Sequence, residues 1–260
     1  GSLARQADGG PPAGITATEV MPPVGTDGRA TGDPEEYGNV SQFTPVGRGH
    51  DGPTGVLPVG TSGKLAFPLR PHMGTVGVAF TSADTLTAPQ LNSIPPTLGG
   101  GNIDINLLGK DATFYVPIFA EGALFFTGDP HFAMGNGEVS LTAMEGSLRT
   151  TFRLTVCKKG SDSAPTVAFR YPFAETPDAW VAVGLSDPDG LQGGQGTDLN
   201  IAMRRAVVNA LDFLQDDLGM DRPVAYAYLS AAANFEVTQV VDRTVGVHGV
   251  IQKGHFGHTH

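Results

Sequence analysis

Ala123-Leu124-Phe125-Phe126-Thr127-Gly128-Asp129-Pro130-His131-Phe132-Ala133-Met134-Gly135-Asn136-Gly137-Glu138-Val139-Ser140-Leu141-Thr142-Ala143-Met144 is the stretch on which the reading of this chain turns. Its centre, residues 128–138, holds two carboxylates, an imidazole and an amide among three glycines. Glycine admits positive φ and close backbone approach, so the composition suits a polar site on a tightly folded connection. The apolar run 123–126 and the alternating run 139–144 read as flanking strands, which places the polar groups between two strands of a rigid scaffold.

The same kind of patterning extends outward. Apolar residues alternate with Gly and Pro in short blocks over 56–78, and strand candidates follow at 112–119, 148–156, 166–170 and 179–185. A polar connection over 81–102 ends in Gly99-Gly100-Gly101. Ile201, Val207, Ala210, Leu211, Leu214 and Leu218 recur at three- and four-residue steps, which predicts a helix from about Thr197, capped by Thr197 or Asp198 and stopped at Gly219. Pro223 opens a second helix through Ala232, and 235–242 and 245–251 read as strands. The fold class expected is therefore β-rich α+β: an antiparallel sandwich- or barrel-like core with a C-terminal α+β portion. Residues 1–55 are rich in Gly, Pro, Asp and Thr and read as an irregular N-terminal arm, ahead of one region over 56–260.

Composition excludes several classes. Gly 36 and Pro 20 in 260 residues favour many short strands and turns over a helical bundle. A net charge of -10 without a basic cluster argues against a nucleic-acid partner. The single cysteine, Cys157, rules out an intramolecular disulfide or a cysteine metal cage. No stretch approaches the roughly 18 apolar residues of a membrane span, and no secretory pattern opens the chain, so a cytoplasmic location is expected. A Gly-x-Ser-x-Gly nucleophile elbow is absent.

Residues 128–138, together with Arg70-Pro71-His72-Met73-Gly74-Thr75-Val76-Gly77-Val78-Ala79, Gly100-Gly101-Asn102-Ile103-Asp104 and Leu229-Ser230-Ala231-Ala232-Ala233, resemble the acetamidase/formamidase family of amide hydrolases. The resemblance runs from about Val59 to about Lys253 and implies a β-rich fold that hydrolyses small aliphatic amides to a carboxylate and ammonia. Met134 and Asn136 depart from the Gln and Asp expected there, and the 71 residues ahead of His72 poorly match the long upstream segment of family members.

Amide hydrolysis needs an activated water, a polarised carbonyl and a proton donor for the departing nitrogen. A metal ion supplies the first two. With the resemblance, Asp104, Asp129 and His131 become the candidate ligands of a divalent metal, zinc first and calcium second, against a metal-free hydrogen-bonded site. Asp129-x-His131 puts both side chains on one side of an extended strand. Glu138 is the candidate general base or fourth ligand, and Glu145 a further acidic candidate. Asn102 and His72 are expected to position substrate. For Asn102 and Asp104 the alternative is an Asx turn after the glycines, and for His72 a structural histidine.

The leading expectation is metal-assisted hydrolysis of a formamide- or acetamide-type amide. The alternative is a catalytically impaired binding or structural subunit, motivated by Met134 and Asn136, and a third reading has Met134 enlarging the pocket for a bulkier amide. The poor upstream match predicts association, as a homo-oligomer or with a separate chain carrying an N-terminal half.

Overall fold

The computed structural model describes residues 2–3, 40–41, 43–80 and 93–257. Two sheets carry the architecture. The first has the order β10-β9-β6-β7 and the second β13-β14-β12-β11-β8. Their strands are β6 (His72–Gly77), β7 (Gly100–Asn102), β8 (Thr113–Tyr115), β9 (Phe126–Ala133), β10 (Met144–Glu145), β11 (Phe173–Glu175), β12 (Ala179–Leu185), β13 (Asn234–Gln239) and β14 (Gly246–Gln252). Every named pairing is antiparallel. Ahead of them, β1 (Ser2–Leu3) pairs with β2 (Val40–Ser41), and β3 (Val46–Gly49), β4 (Gly52–Val59) and β5 (Gly63–Pro68) form a meander. The boundary drawn at residue 55 thus falls inside β4, so sheet structure begins before it.

Period two along β12 sorts its side chains between two layers. Val183 and Leu185 pack with Val76 of β6 and with Ile103 and Ile105, joining the two sheets. Ala182 faces the opposite way, toward Leu211, Phe213 and Leu214 of α1 (Leu199–Asp216) and Leu229 of α2 (Arg222–Ala232). The result is sheet, sheet and helices: the expected β-rich α+β fold. Helix α1 lies directly on β12 because Gly184 has no side chain; a Cβ there would stand 2.1 Å from the Ala202 carbonyl oxygen and 2.3 Å from the Ala206 nitrogen.

Helix signals read as expected. The Asp198 carboxylate accepts from the Asn200 amide, and α1 ends where Gly219, at φ 69, lets the Met220 amide reach the Leu214 carbonyl. Several strand expectations fail. Ala123 and Leu124 sit at φ 57 and 54, so a strand begins only at Phe126 and then runs through Asp129 and His131. The alternating run 139–144 is broken by Leu141 at φ 71 and keeps only Met144 in a strand. Residues 148–156 belong to no strand, and 166–170 is a 3-10 turn started by Pro165 and pinned by Asp217, which accepts from the Thr166 amide and hydroxyl.

Candidate active site

Strands β6 and β9 pair so that His72 faces His131 and Gly74 falls opposite Asp129. From this pair of strands, the segment after β7, the 135–138 turn, β10 and the turn after β13, six ionisable groups converge: Asp104, Asp129, His131, Glu138, Glu145 and Asp242. His131 is fully buried at the centre. Its Nε2 lies 3.2 Å from Asp129 Oδ2, 3.5 Å from Glu145 Oε1 and 3.8 Å from Glu138 Oε1, while its Nδ1 is 3.9 Å from Asp104 Oδ1.

A chain of two imidazoles fixes which nitrogen faces the carboxylates. The Arg70 carbonyl, 3.0 Å away, can only accept, so His72 Nδ1 carries the hydrogen. His72 Nε2 is then an acceptor and takes the hydrogen of His131 Nδ1 at 3.3 Å. His131 Nε2 is left with a free lone pair aimed into the acidic cluster. His72, expected to position substrate, stands behind His131 and is not among the residues that line the cleft.

Backbone conformation holds the carboxylates in place. Asp104, Asp129 and Glu138 adopt φ of 51, 54 and 44, the left-handed region that non-glycine residues enter at a cost of about 1–3 kcal/mol each. Glu138 is kept there by the Gly137 amide, which donates to Thr238 O, and the Gly137 carbonyl, which accepts from Val240, stitching the turn to the end of β13. Gln239 builds the next turn: its Oε1 accepts the amides of Val241 and Asp242 while its Nε2 donates to Thr244 O. Gly74 completes the centre. A Cβ at that position would stand 2.4 Å from Asp104 Oδ1, 2.5 Å from Asp129 Oδ2 and 2.7 Å from His131 Cε1.

The cluster carries a large excess of negative charge. Among the described residues no lysine or arginine forms an ion pair with any of its five carboxylates. Burial, then the neighbouring charges of Asp104 and Asp129, pushes Glu138 up to about 10. Burial, with the charges of Glu138 and Asp129, takes Asp242 to about 8, and burial with the charge of Asp242 raises Asp104 well above the carboxylate range. Burial also lifts Glu145. For His131 burial acts downward, but Asp129, Glu145 and Asp104 together hold it above its ordinary value. Both oxygens of Asp104, His131 Nε2 and Asp242 Oδ2 receive no hydrogen bond from an amide, hydroxyl or cationic donor among the described residues, and Asp104 and Asp242 lie close enough to share a proton. Asp104, Asp129 and His131 lie close enough to share one cation, as do His131, Glu138 and Glu145, and Asp104, Glu138 and Asp242, so the residues present fit a metal.

Beside the cluster opens a cleft of about 360 Å³ lined by Thr75, Asn102, Asp129, Glu138, Glu145 and Asp242, among others. That is the small end of ligand clefts. The Thr75 hydroxyl donates to Asn102 Oδ1 at 2.6 Å, so the Asn102 amide hydrogens point elsewhere. The seven candidates named from sequence thus gather in one region; Asp242 and Thr75 are additions. Asp242 sits at the end of a strand pattern about a hundred residues from the other carboxylates, and since that segment also holds Glu236, Thr238 and Gln239, no local pattern singles it out. Met134 and Asn136 do not line the cleft: Met134 O accepts from Asn106 Nδ2, and the exposed Asn136 amide donates to Glu236. They give the impaired-site reading no support.

An antiparallel sheet thus buries an imidazole among carboxylates beside a small cleft, in groups that could hold a cation. The chain belongs to the acetamidase/formamidase family, whose model matches residues 58–251. It is 28% identical over 151 residues to an acetamidase of Mycolicibacterium smegmatis, covering 55% of this chain and 37% of that one. It is 30% identical over 159 residues to a formamidase of Methylophilus methylotrophus, covering 58% and 38%. This chain therefore spans less than two fifths of either relative. An acetamidase from Bacillus halodurans shares the fold at a TM-score of 0.57 and 22% identity, over 78% of this chain and 60% of that one. A predicted acetamidase/formamidase from Thermoanaerobacter tengcongensis gives 0.55 and 23%, over 74% and 56%. Among the described residues no helix is long and apolar enough to cross a membrane.

Proposed function

We propose that this chain carries the hydrolytic centre of an amidase acting on a small aliphatic amide of the formamide or acetamide type, with a divalent metal held by Asp104, Asp129 and His131. The observation that carries the reading is the gathering of buried ligand atoms of Asp104 and His131 with Asp129 in one cluster without a lysine or arginine counter-cation. One imidazole nitrogen among carboxylate oxygens favours zinc over calcium, which prefers an all-oxygen shell. Bound there, the metal lowers the pKa of water and polarises the amide carbonyl.

The chain's own groups divide the remaining work. Arg70 and His72 hold His131 in the tautomer that presents Nε2. Thr75 fixes the Asn102 amide, which also bonds Asp242, so that one Nδ2 hydrogen serves as a donor at the cleft, where the amide carbonyl of a substrate needs one. Glu138, buried and at the wall of the same cleft, holds and moves the proton that must pass from water to the leaving nitrogen. Glu145 is about half exposed and marks the open side.

Ammonia release from a series of amides, measured with metal analysis on the same samples, tests this. Wild type is expected to hydrolyse the smallest amides and to contain stoichiometric metal, and Asp129→Ala and His131→Ala are each expected to lose both while keeping their far-UV circular dichroism. Full activity and metal occupancy in both variants would remove the site from consideration.

A further inference from the structure

The described residues that line the cleft divide unevenly: eight are polar or charged and two, Ile94 and Leu141, are aliphatic. An aliphatic amide divides the same way. Its carbonyl and its nitrogen need hydrogen-bonding partners or a metal, and its acyl chain has use for neither. The polar lining therefore claims the carboxamide end, and the two aliphatic side chains remain to receive the acyl chain.

Each of these side chains is held in place by its own segment. Ile94 precedes Pro95-Pro96, which are buried. A proline keeps the residue before it out of the helical region, so the Ile94 backbone has little freedom to turn its side chain off the cleft. The far end of that segment is tied down by Leu98 N, which donates to Pro188 O at 2.9 Å, and by Gly99 N, which donates to Thr97 Oγ1. Leu141 sits at φ 71, a left-handed conformation that glycine adopts freely and leucine rarely. Its amide donates to Glu138 O at 3.0 Å, so one turn carries both the Glu138 carboxylate and the Leu141 side chain. Three non-glycine residues that line the cleft, Asp129, Glu138 and Leu141, share this conformation. Strain of this kind gathers where a side chain has to be aimed. The proposed chemistry accounts for it at the two carboxylates and leaves it unexplained at Leu141.

We propose that Ile94 and Leu141 form the acyl wall of the cleft and decide which aliphatic amides are accepted. The proposal rests on the amidase reading above and adds to it the residues that meet the substrate's carbon chain. Leu141 is the sharper of the two, because its place in the turn fixes how far the wall stands from Glu138. Leu141→Ala removes an isopropyl group and makes room for a longer acyl chain. Leu141→Phe narrows the space that acetamide fills with a methyl group and formamide with a hydrogen.

Specificity constants for formamide, acetamide, propionamide and butyramide, read as ammonia release, test the proposal together with methyl NMR spectra of the full chain titrated with acetamide. Wild type is expected to shift the Ile94 and Leu141 methyl signals, which are identified by their absence in the alanine variants. Leu141→Ala and Ile94→Ala are each expected to raise kcat/KM for butyramide relative to acetamide by roughly 10-fold or more, the scale of a methylene in an apolar pocket. Leu141→Phe is expected to lower acetamide relative to formamide. Val139→Ala, in the same turn but outside the cleft lining, is expected to leave the ratios unchanged. A turn that merely lost its shape would lower every amide alike, so unchanged ratios in all the wall variants overturn the proposal. So does a titration that leaves both sets of methyl signals where they were. Ile94 lies on a separate segment and decides the matter if the Leu141 variants fail to fold. A chain that binds acetamide at these methyls without releasing ammonia would sink the amidase reading and keep the wall, and a chain that does neither sinks both.

Discussion

Replacing Gly74 by Ala places a methyl group in the middle of the proposed centre, and its effect can be sized from distances. Ordinary contact to a Cβ begins near 3.4 Å, whereas the added carbon would stand 2.4, 2.5 and 2.7 Å from Asp104 Oδ1, Asp129 Oδ2 and His131 Cε1. The three groups must retreat by about 1.0, 0.9 and 0.7 Å, or β6 must shift away from β9 by a similar distance. Overpacking of this kind costs about 1–3 kcal/mol, which in a chain of this size lowers Tm by roughly 2–12 °C. Function suffers far more, because displacing reacting groups by about 1 Å costs on the order of 10²-fold in rate. The assay is ammonia release from formamide and acetamide, with metal content and a thermal melt on the same preparation. Expected are a folded protein, metal occupancy well below stoichiometric and turnover down by roughly 10²-fold or more. A Gly74→Ala protein with full metal and full turnover would refute the reasoning, since it would mean that the space between these ligands is not where the ion sits.

Three further outcomes follow from the same geometry. Glu138→Gln is expected to lower turnover by roughly 10²-fold or more while most of the metal stays bound; metal loss with normal turnover would make Glu138 a ligand and turn attention to Glu145. His72→Ala frees the His131 ring from its fixed tautomer, and metal titration is expected to show affinity weakened by roughly 10–100-fold, an unchanged affinity showing that His131 is oriented by other contacts. In metal-free protein, folded Glu138 and Asp242 keep protons up to about 10 and about 8, whereas unfolded carboxyls release them near 4.5 and 3.8. The folded state then binds more protons over that window, so stability falls as pH rises, and Tm of the chelated protein is expected to drop between about pH 5 and about pH 8. Metal-loaded protein should flatten that slope, and a flat profile in the chelated protein would show that these carboxylates are not buried together.

The site was more legible in the sequence than the sheet around it. Asp129, His131 and Glu138 share one glycine-rich stretch, and Asp104 and Asn102 follow a triple glycine, so their chemistry is concentrated where a reader looks. Asp242 is not, because only the Gln239 turn and the stitching of Gly137 to β13 bring it in, and such pairings leave no local pattern. The same limit explains the strand errors. Alternation at 139–144 and 148–156 promises a strand, but a strand exists only with a neighbour, and neither pattern states which neighbour is present. The helix α1 was legible because its cap, its apolar face and its terminal glycine all lie within one continuous segment.

The stitch between Gly137 and the end of β13 also governs when the centre comes into being. His72 and Asp242 are 170 positions apart, and both helices are threaded between Glu145 and Asp242. During synthesis the segments bearing His131 and Glu138 emerge long before β13, and contacts of such sequence separation close slowly. Until β13 docks, only the local turn bonds, Glu138 N to Gly135 O and Leu141 N to Glu138 O, hold Glu138 in a left-handed conformation, and the cover that buries its carboxylate is incomplete. The candidate centre is therefore an assembly product of the finished fold, and a chain stopped before β13 would have the motif residues without the site.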